Sequence, residues 1–298
     1  MSDKNVLKEI IDAKRKNPYT EDKTIKQLRE ETEVSGSKIP LPENTKIEKL
    51  IADGVHAEWI SCGKVNSNKI FMFIHGGGYY RGSIASTRAT VARISEQASV
   101  QCLSIDYRLA PEHPFPAAID DTYTAYNWIL KQGINPKNII VSGQSAGGGL
   151  CLALLLKIKD NKGTQPLGAV AISPWTDLSQ SGNTMKTNED IDPIISKKYL
   201  DRMAGLYLKD SSFSLPLASP LFGNLSDLPP ILIQVGTAET MLDDSKRFYD
   251  KAKKANVDIN IEIWTDMFHG WHGNAHILKD AELAIQSIGN FCKKLYFN

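Results

Sequence analysis

Beyond about residue 44, short apolar runs alternate with amphipathic stretches along the chain. In the run 70–74, Ile-Phe-Met-Phe-Ile, every position is apolar, which is typical of a parallel strand whose two faces are both covered. An exposed antiparallel strand would alternate apolar and polar residues instead. Similar β-rich runs lie at residues 102–105, 139–142, 169–173, 231–235 and 259–264. The pattern therefore predicts a mostly parallel sheet.

Helical segments separate these strands. Periodic apolar positions indicate helices at residues 87–97, 117–131, 146–159, 244–255 and 275–295. Strands that alternate with helices form a parallel sheet with helices on both faces. We therefore predict the α/β fold class, with one main domain over residues 45–298.

Two segments interrupt this alternation. Residues 3–33 are charged, but apolar residues recur at helical spacing, which predicts one or two amphipathic helices. The stretch 35–43 contains helix-breaking glycine and proline and is expected to be a linker, so that residues 1–44 form N-terminal cap helices and a linker. An insertion at about residues 179–225 is expected to carry a helix outside the sheet. We expect the two segments to form a lid together.

The charge balance excludes several classes of partner. The 35 basic and 34 acidic residues leave a formal net charge of +1, so no overall field favours nucleic acid, an anionic membrane or a highly charged substrate. A small, roughly neutral ligand fits this balance better. The N-terminus lacks the pattern of a signal peptide, and no apolar run approaches the roughly 18 residues of a membrane span. We therefore expect a cytoplasmic location.

The four cysteines are scattered along the chain without any C-x-x-C spacing. This distribution argues against a zinc site and against a disulfide framework. We expect reduced and mostly buried thiols.

A Gly-Gln-Ser-Ala-Gly sequence at residues 143–147 lies directly after a predicted strand and before an apolar helix. This G-x-S-x-G context is the one that a nucleophile elbow requires. The serine of an elbow occupies the tip of a strained turn, and the flanking glycines let the two backbones approach each other. The alternative is a glycine-rich helix start that serves packing alone. In this context we interpret Ser145 as a nucleophile.

A His-Gly-Gly-Gly sequence at residues 75–78 follows the predicted strand 70–74. Without side chains, the glycine N–H groups can reach the oxyanion of a tetrahedral intermediate, a contribution of about 3 kcal/mol per donor. We predict that Gly77, Gly78 and Ala146 are these donors. The alternative is a phosphate-binding loop, but neither a Lys-Ser/Thr pair nor a G-x-G-x-x-G pattern is present.

A serine nucleophile needs a base, and in an elbow fold the acid and then the histidine follow the serine along the chain. The histidines after Ser145 are His269, His272 and His276. His269 follows the predicted strand 259–264 within a loop, so we predict that it is the base. The other two are expected at the surface or at a helix start. A metal cluster of the three is the alternative, but glycines interrupt the helix that it would need, and no H-E-x-x-H motif is present.

The supporting acid should follow the predicted strand 231–235. Glu239 is the first acidic residue past that strand, and Asp243 is the competitor. An ionised carboxylate there would hold the imidazole tautomer and stabilise the imidazolium that forms during attack. Asp243 has a simpler role available at the N-terminus of the following helix. We favour Glu239 and leave Asp243 open.

Several ordered motifs together resemble the hormone-sensitive-lipase-like esterases of the α/β-hydrolase superfamily, from about residue 55 to the C-terminus. These motifs are HGGG at 75–78, YRLAPE at 107–112, FPAA at 115–118 and GQSAGG at 143–148. The resemblance implies an α/β-hydrolase fold with a sheet of about eight strands, a helical cap and no cofactor. It also implies that residues 107–112 form a structural loop that supports the glycine loop.

The family pattern, carried over by position, makes Ser145 the nucleophile, Glu239 the acid and His269 the base. It likewise matches Gly77, Gly78 and Ala146 to the oxyanion hole. Two positions depart from the pattern: the family usually has aspartate where Gln144 stands, and more often aspartate than glutamate at position 239. Gln144 is expected to alter the hydrogen bonds beside the nucleophile, whereas a glutamate can serve as the triad acid.

These observations predict a serine carboxylesterase that cleaves small, short-acyl esters through an acyl-serine. A deacetylase, lactonase or amidase would use the same groups, and a ligand-binding receptor of the same fold is a further alternative, although such receptors resemble esterases that have lost the histidine. The small-molecule ester is the expected partner, and a homodimer is compatible with the family. Aromatic and flexible apolar residues are expected to border the pocket, namely Tyr79, Tyr80, Trp175, Met203, Leu206 and Trp271.

Overall fold

The computed structural model describes residues 3–16 and 23–297, and within them one sheet has eight strands in the order β1-β2-β4-β3-β5-β6-β7-β8. The strands are β1 (Thr45–Ala52), β2 (Val55–Cys62), β3 (Asn66–Ile74), β4 (Val100–Asp106), β5 (Ile139–Gln144), β6 (Gly168–Ile172), β7 (Ile231–Gly236) and β8 (Ile259–Trp264). Strand β2 pairs antiparallel with β1 and β4, and the remaining pairs are parallel. The predicted mostly parallel eight-stranded sheet is confirmed.

The helices cover both faces of this sheet. They are α1 (Asp3–Lys16), α2 (Ile25–Ser37), α3 (Ile84–Ala98), α4 (Ala117–Lys131), α5 (Ala146–Asp160), α6 (Thr184–Thr187), α7 (Lys197–Leu208), α8 (Leu242–Lys254) and α9 (Lys279–Phe297). Helices α3 and α9 share one core cluster with Phe71 and Phe73, whereas Ile70, Met72 and Ile74 belong to the cluster on the other face. This division explains why the run 70–74 is apolar at every position.

The hairpin of β1 and β2 is the part of the sheet that the apolar runs did not predict. Strand β1 lies at the sheet edge and is mostly exposed, so its sequence carries no continuous apolar run. A local signal was nevertheless present, because Asp53 and Gly54 occupy the turn with φ values of 49° and 94°. An Asp-Gly pair with positive φ at both positions is favoured in two-residue hairpin turns.

Two helix boundaries differ from the prediction by a full turn, whereas the others agree to within three residues. Helix α2 continues to Ser37 through the stretch expected to be a linker, and Gly36 lies where a side chain would collide with the backbone of Ser86 in α3. Glycine there permits close helix packing instead of ending the helix. Helix α9 begins at Lys279 and not at 275, because a short 3₁₀ helix over Trp271–Asn274 precedes it.

Helix α1 is docked on the segment that carries His269. Its apolar residues Val6, Leu7, Ile10 and Ile11 pack against a small core cluster that includes Phe268. The four cysteines are buried and unpaired, as predicted. Among the described residues, no helix is long and apolar enough to cross a membrane.

Candidate active site

Ser145 lies at the tip of a strained turn between β5 and α5. Its φ and ψ values are 59° and −122°, a conformation that non-glycine residues rarely adopt. A side chain on Gly143 would collide with the Gly147 carbonyl, and one on Gly147 would collide with the carbonyl of Ile74. The two glycines therefore let β5, β3 and α5 meet around the serine, as an elbow requires.

The backbone of Ser145 is tied to neighbouring strands and loops. Its N–H donates to the Ile172 carbonyl at 2.8 Å, and its carbonyl accepts from the N–H groups of Gly149 at 2.9 Å and Trp175 at 3.1 Å. These bonds compensate for the strained conformation and fix the direction of the side chain. Because the Ser145 N–H is already bonded, it is not a free donor for a substrate oxygen.

The glycine loop turns back on itself immediately after β3. Gly77 and Gly78 have φ values of 110° and 60°, and the N–H of Arg81 donates to the Gly77 carbonyl at 3.1 Å. Within the described residues, the N–H groups of Gly77, Gly78 and Ala146 have no hydrogen-bond acceptor. Unpaired buried N–H groups are costly, so these three are available donors for a bound oxygen.

His75 supports the glycine loop from behind and lies outside the cavity. Its ring stacks on Tyr107 with 4.3 Å between the ring centres, and its Nδ1 pairs with the Gly76 carbonyl at 2.7 Å. The Tyr107 hydroxyl donates to the His75 carbonyl at 3.1 Å. Burial lowers the pKa of His75, which favours the neutral ring that donates from Nδ1.

Arg29 of α2 ties the N-terminal segment to the same loop. Its guanidinium donates to the Tyr80 carbonyl at 2.8 Å, to the Ala110 carbonyl at 2.9 Å and to both oxygens of Glu112. Ala110 in turn donates its N–H to the Tyr79 carbonyl at 2.9 Å. The 107–112 segment therefore contacts the glycine loop directly.

Glu239 and His269 form a buried pair. The Nδ1 atom of His269 lies 2.8 Å from Glu239 Oε2, and Glu239 is fully buried. The other carboxylate oxygen accepts from the Ser173 hydroxyl at 2.8 Å and from the Gly236 N–H at 2.7 Å. Three donors thus compensate for burying this negative charge. Ser173 was not singled out by sequence reasoning, because nothing local marks a serine at a strand end as a partner of a distant carboxylate.

Asp243 lies apart from His269. It is in the first turn of α8, where its Oδ2 accepts from the Thr184 N–H at 3.1 Å and its own N–H donates to the Thr184 hydroxyl at 2.9 Å. The structure therefore pairs His269 with Glu239, while Asp243 binds the inserted segment.

The inserted segment holds the loop that carries Glu239. The Asn188 amide donates to the carbonyls of Glu239 at 2.8 Å and Thr237 at 3.0 Å. Asp192 accepts from the Thr240 N–H at 2.9 Å. These contacts join residues about fifty positions apart, so no local pattern could have indicated them.

A cavity of about 1020 Å³ opens over Ser145 and His269. Its floor includes Gly76, Gly77, Gly78, Gln144 and Gly270, and its walls come from α1, α2 and the inserted segment, which includes α7. The apolar wall residues include Ile10, Leu28, Ile194, Ile195, Tyr199 and Met203. The serine, the histidine and the free glycine N–H groups therefore face one space that both predicted cap segments border.

Of the six predicted pocket residues, Met203 lines this cavity and the other five do not. Tyr79, Tyr80, Trp175 and Trp271 are fully buried, and Leu206 packs against the main core. The four aromatic rings pack on other buried residues; Tyr79, for example, stacks on Tyr207 with 3.8 Å between the ring centres. The prediction was wrong for these five because aromatic or apolar character alone does not distinguish a core side chain from a cavity wall.

The two other downstream histidines do not join His269 in a cluster. His272 is fully buried, contrary to the expected surface position, and its Nε2 pairs with Gln234 Oε1 at 2.8 Å. Burial, with a smaller contribution from His269, lowers the pKa of His272 to about 3. His276 is exposed. Among the residues that the structure describes, no group of three or more His, Cys, Asp or Glu side chains is arranged to hold a metal.

Comparison with known proteins places this geometry in a family. The sequence profile of the alpha/beta hydrolase fold family matches residues 71–273. An esterase from Acinetobacter venetianus is 36% identical over 257 residues, which cover 85% of this chain and 84% of that protein. An acetyl-hydrolase from Streptomyces hygroscopicus is 37% identical over 237 residues, which cover 80% and 79% of the two chains.

A solved structure supports the same assignment. The crystal structure of an esterase from the bacterial hormone-sensitive lipase family matches with a TM-score of 0.95 and 39% sequence identity, over 97% of this chain and 98% of that one. The chain therefore belongs to the hormone-sensitive-lipase-like esterases of the α/β-hydrolase fold, and it is a serine carboxylesterase.

Proposed function

We propose that the enzyme hydrolyses small, short-acyl carboxylic esters through an acyl-serine, with Ser145 as nucleophile, His269 as base and Glu239 as supporting acid. The observation that carries the proposal is the buried pair of Glu239 and His269, 2.8 Å apart, beside the cavity that contains Ser145. A carboxylate on Nδ1 favours the tautomer whose Nε2 is free to accept a proton.

The reaction would proceed in two steps. His269 Nε2 takes the proton of the Ser145 hydroxyl while Oγ attacks the ester carbonyl, and the negative charge that develops on the carbonyl oxygen is bound by the N–H groups of Gly77, Gly78 and Ala146. The tetrahedral intermediate then expels the alcohol, which receives the proton from His269. Water attacks the acyl-serine by the same route in reverse, releasing the acid and the free serine.

The cap segments support a preference for short acyl chains. Helices α1, α2 and α7 and the inserted segment enclose the cavity with apolar side chains, and Met203 lies so close to Gly78 that a side chain at that glycine would collide with it. Such a wall next to the proposed oxyanion donors limits the space for a long acyl chain. The name of the Streptomyces relative favours acetyl esters as the first substrates to test, and it keeps a small-molecule deacetylase as the second candidate.

The first experiment is hydrolysis of p-nitrophenyl acetate, butyrate, octanoate and palmitate, with and without EDTA. We expect activity on the short esters that EDTA does not change and that Ser145→Ala abolishes. Ser67→Ala, at an exposed position in β3, is the matched control and should retain full activity. Activity in Ser145→Ala equal to that of the wild type would contradict the proposal.

A second comparison separates the alternatives that share this machinery. The p-nitroanilide that matches the best ester tests for an amidase, because its leaving group is bound through nitrogen. We expect cleavage of the ester with little cleavage of the anilide. A folded wild type that is inactive on all these substrates would favour a ligand-binding role instead.

A further inference from the structure

Two unpaired polar side chains flank His269 at the cavity wall. Lys14 of α1 places its Nζ 5.2 Å from the centre of the Phe268 ring, and Phe268 directly precedes His269 in the sequence. Gln144 places its amide nitrogen next to Gly270, the residue directly after His269. The two are so close that any side chain at position 270 would collide with this nitrogen. Both Lys14 and Gln144 line the cavity.

Lys14 is held in place by its helix. Helix α1 packs its apolar side on the cluster that includes Phe268, and Arg15 donates to the Asp190 and Ile191 carbonyls at 3.4 and 3.3 Å. Lys14 is half-buried, and burial lowers its pKa. Within the described part of the chain, no carboxylate pairs with its ammonium group. A partly desolvated cation without a counter-ion is unfavourable, and an anion bound there would relieve that cost.

Gln144 is an uncharged side chain at the position directly before Ser145, the proposed nucleophile. Its side chain has no hydrogen-bond partner among the described residues, so the amide is free to bind a ligand. The aspartate that usually stands at this position in the resembled family would add a negative charge and repel an anion. The uncharged amide of Gln144 can instead donate a hydrogen bond to a bound anion.

The other charged groups of the cavity do not cancel Lys14. Glu31 pairs with Lys23 at 2.7 Å, and both line the cavity. Glu30 also lines the cavity and lies 3.9 Å from Lys26, which does not. Arg81 adds a further positive charge over the ring of Tyr80. The described lining thus carries three cationic side chains, Lys14, Lys23 and Arg81, against two carboxylates, Glu30 and Glu31, which leaves one excess positive charge in the cavity.

The position of the two side chains decides which part of a substrate they would contact. In the proposed reaction His269 protonates the leaving alcohol, so the alcohol part must extend from Ser145 along the histidine side of the cavity. Lys14 and Gln144 lie against the residues on either side of His269. The proposed donors Gly77 and Gly78 lie in the glycine loop instead, and Met203 contacts Gly78 there.

We infer that the preferred substrates are esters whose alcohol part carries a carboxylate, which Lys14 binds as an ion pair and Gln144 binds through its amide. The inference rests on the proposed esterase function. It narrows the substrate class from small neutral esters, as the overall charge suggested, to acyl esters of hydroxy acids.

The test uses three acetate esters of similar length that differ in the charge of the group at the end of the alcohol part. The anionic ester is 4-acetoxybutanoate, the neutral match is 4-methylpentyl acetate, and the cationic match is 3-acetoxypropyl-trimethylammonium. Acetate release gives kcat/KM for each ester with each variant. Comparing ratios between variants removes the intrinsic reactivity of the esters.

Lys14→Met is the main variant, and Lys16→Met is its control, because Lys16 is an exposed residue of the same helix and its loss changes the net charge equally. Lys14→Met should lower kcat/KM for the anionic ester by about tenfold, the effect of one charge-assisted hydrogen bond. It should leave the neutral ester within about twofold. Lys14→Arg should retain the anionic preference, and Gln144→Glu should lower the ratio of anionic to neutral activity.

The outcomes separate the inference from the function on which it rests. A wild type that prefers the anionic ester over the cationic one, with the preference lost in Lys14→Met and kept in Lys16→Met, supports the inference. Hydrolysis of the neutral ester with no dependence of the anionic-to-neutral ratio on Lys14 overturns it and leaves the esterase function intact. Loss of the ratio in both lysine variants also overturns it, because net charge and not a specific contact would then be responsible. If no ester is cleaved, both fail.

Discussion

Replacing Glu239 by glutamine tests the acid of the proposed triad most directly. The substitution keeps the size of the side chain and removes its charge. In the wild type, Oε2 faces His269 Nδ1 at 2.8 Å, while Oε1 accepts from Ser173 and Gly236. A glutamine can still accept those two hydrogen bonds through its oxygen, and its NH₂ group would then face the histidine.

The loss of kcat/KM that we expect for Glu239→Gln has two causes. An imidazolium about 4 Å from a carboxylate gains about 4 kcal/mol at an effective dielectric constant of about 20, and at about 1.4 kcal/mol per tenfold this energy corresponds to roughly a thousandfold in rate. In addition, an NH₂ group next to Nδ1 favours the tautomer with its proton on Nε2, which cannot accept the proton of Ser145. We therefore expect kcat/KM to fall by about 10³- to 10⁴-fold.

The assay is the initial rate with p-nitrophenyl acetate, expressed as kcat/KM because this ratio reports acylation of the serine. Asp243→Asn is the matched control, since Asp243 follows the same strand but contacts Thr184. We expect its kcat/KM to stay within a few-fold of the wild type. Thermal unfolding of both variants shows whether each is folded at the assay temperature.

The reasoning would be refuted by a folded Glu239→Gln enzyme that keeps more than about a tenth of the wild-type kcat/KM, a loss of less than about 1.4 kcal/mol. A large loss in Asp243→Asn together with a small one in Glu239→Gln would assign the acid to Asp243 instead.

Three further predictions concern the surroundings of the site. Gly78→Ala should lower kcat by about 10²-fold, as expected when an oxyanion donor is displaced. The displacement follows because Gly78 has a φ of 60° and the added methyl group collides with Met203. Gly78→Ala combined with Met203→Ala should recover part of the loss in the same assay. Arg29→Met should lower the unfolding free energy by about 1–3 kcal/mol, mainly because it leaves two carbonyls without their donor, and an unchanged midpoint in urea would contradict this. Burial raises the pKa of Asp244 to about 8, so the folded protein binds the proton of this carboxyl group more tightly than the unfolded chain does. The protonated carboxyl group therefore contributes to the free energy of unfolding. This contribution is complete below about pH 4 and is lost as the pH rises toward 8. Asp244→Asn should remove this contribution, and urea titrations of both proteins between about pH 5 and pH 8 should show a flatter decline, or a steeper rise, for the variant.

The residues predicted from sequence lie where backbone geometry dictates the local pattern. Ser145 and the glycines of the 75–78 loop follow parallel strands, and the carboxyl ends of such strands meet at one edge of the sheet. His269 and Glu239 follow two further strands, so the order of the strands was enough to bring them into consideration. Proximity to the strand end favours Glu239 over Asp243, and the contact with His269 is a structural observation.

The residues that sequence reasoning missed depend on tertiary packing. Tyr199 of α7 lines the cavity, whereas Tyr79 stacks on Tyr207 of the same helix in the core, and a list of aromatic residues does not contain that information. Asn188 and Asp192 hold the Glu239 loop from about fifty residues away. Polar residues in an insertion normally read as surface loop, and only the folded chain shows that their partners are buried carbonyl and N–H groups.

The cap is part of the proposed catalytic arrangement as well as its cover. The inserted segment binds the Glu239 loop through Asn188 and continues into α7, whose Met203 touches Gly78 of the glycine loop. Helix α2 binds the other side of that loop through Arg29. Because the cap contacts both the proposed acid and a proposed oxyanion donor, a movement of the cap would displace groups that the proposed mechanism uses in the transition state. Changes in the cap are therefore expected to alter kcat together with KM, whereas a cap that served only as a lid would alter substrate entry alone.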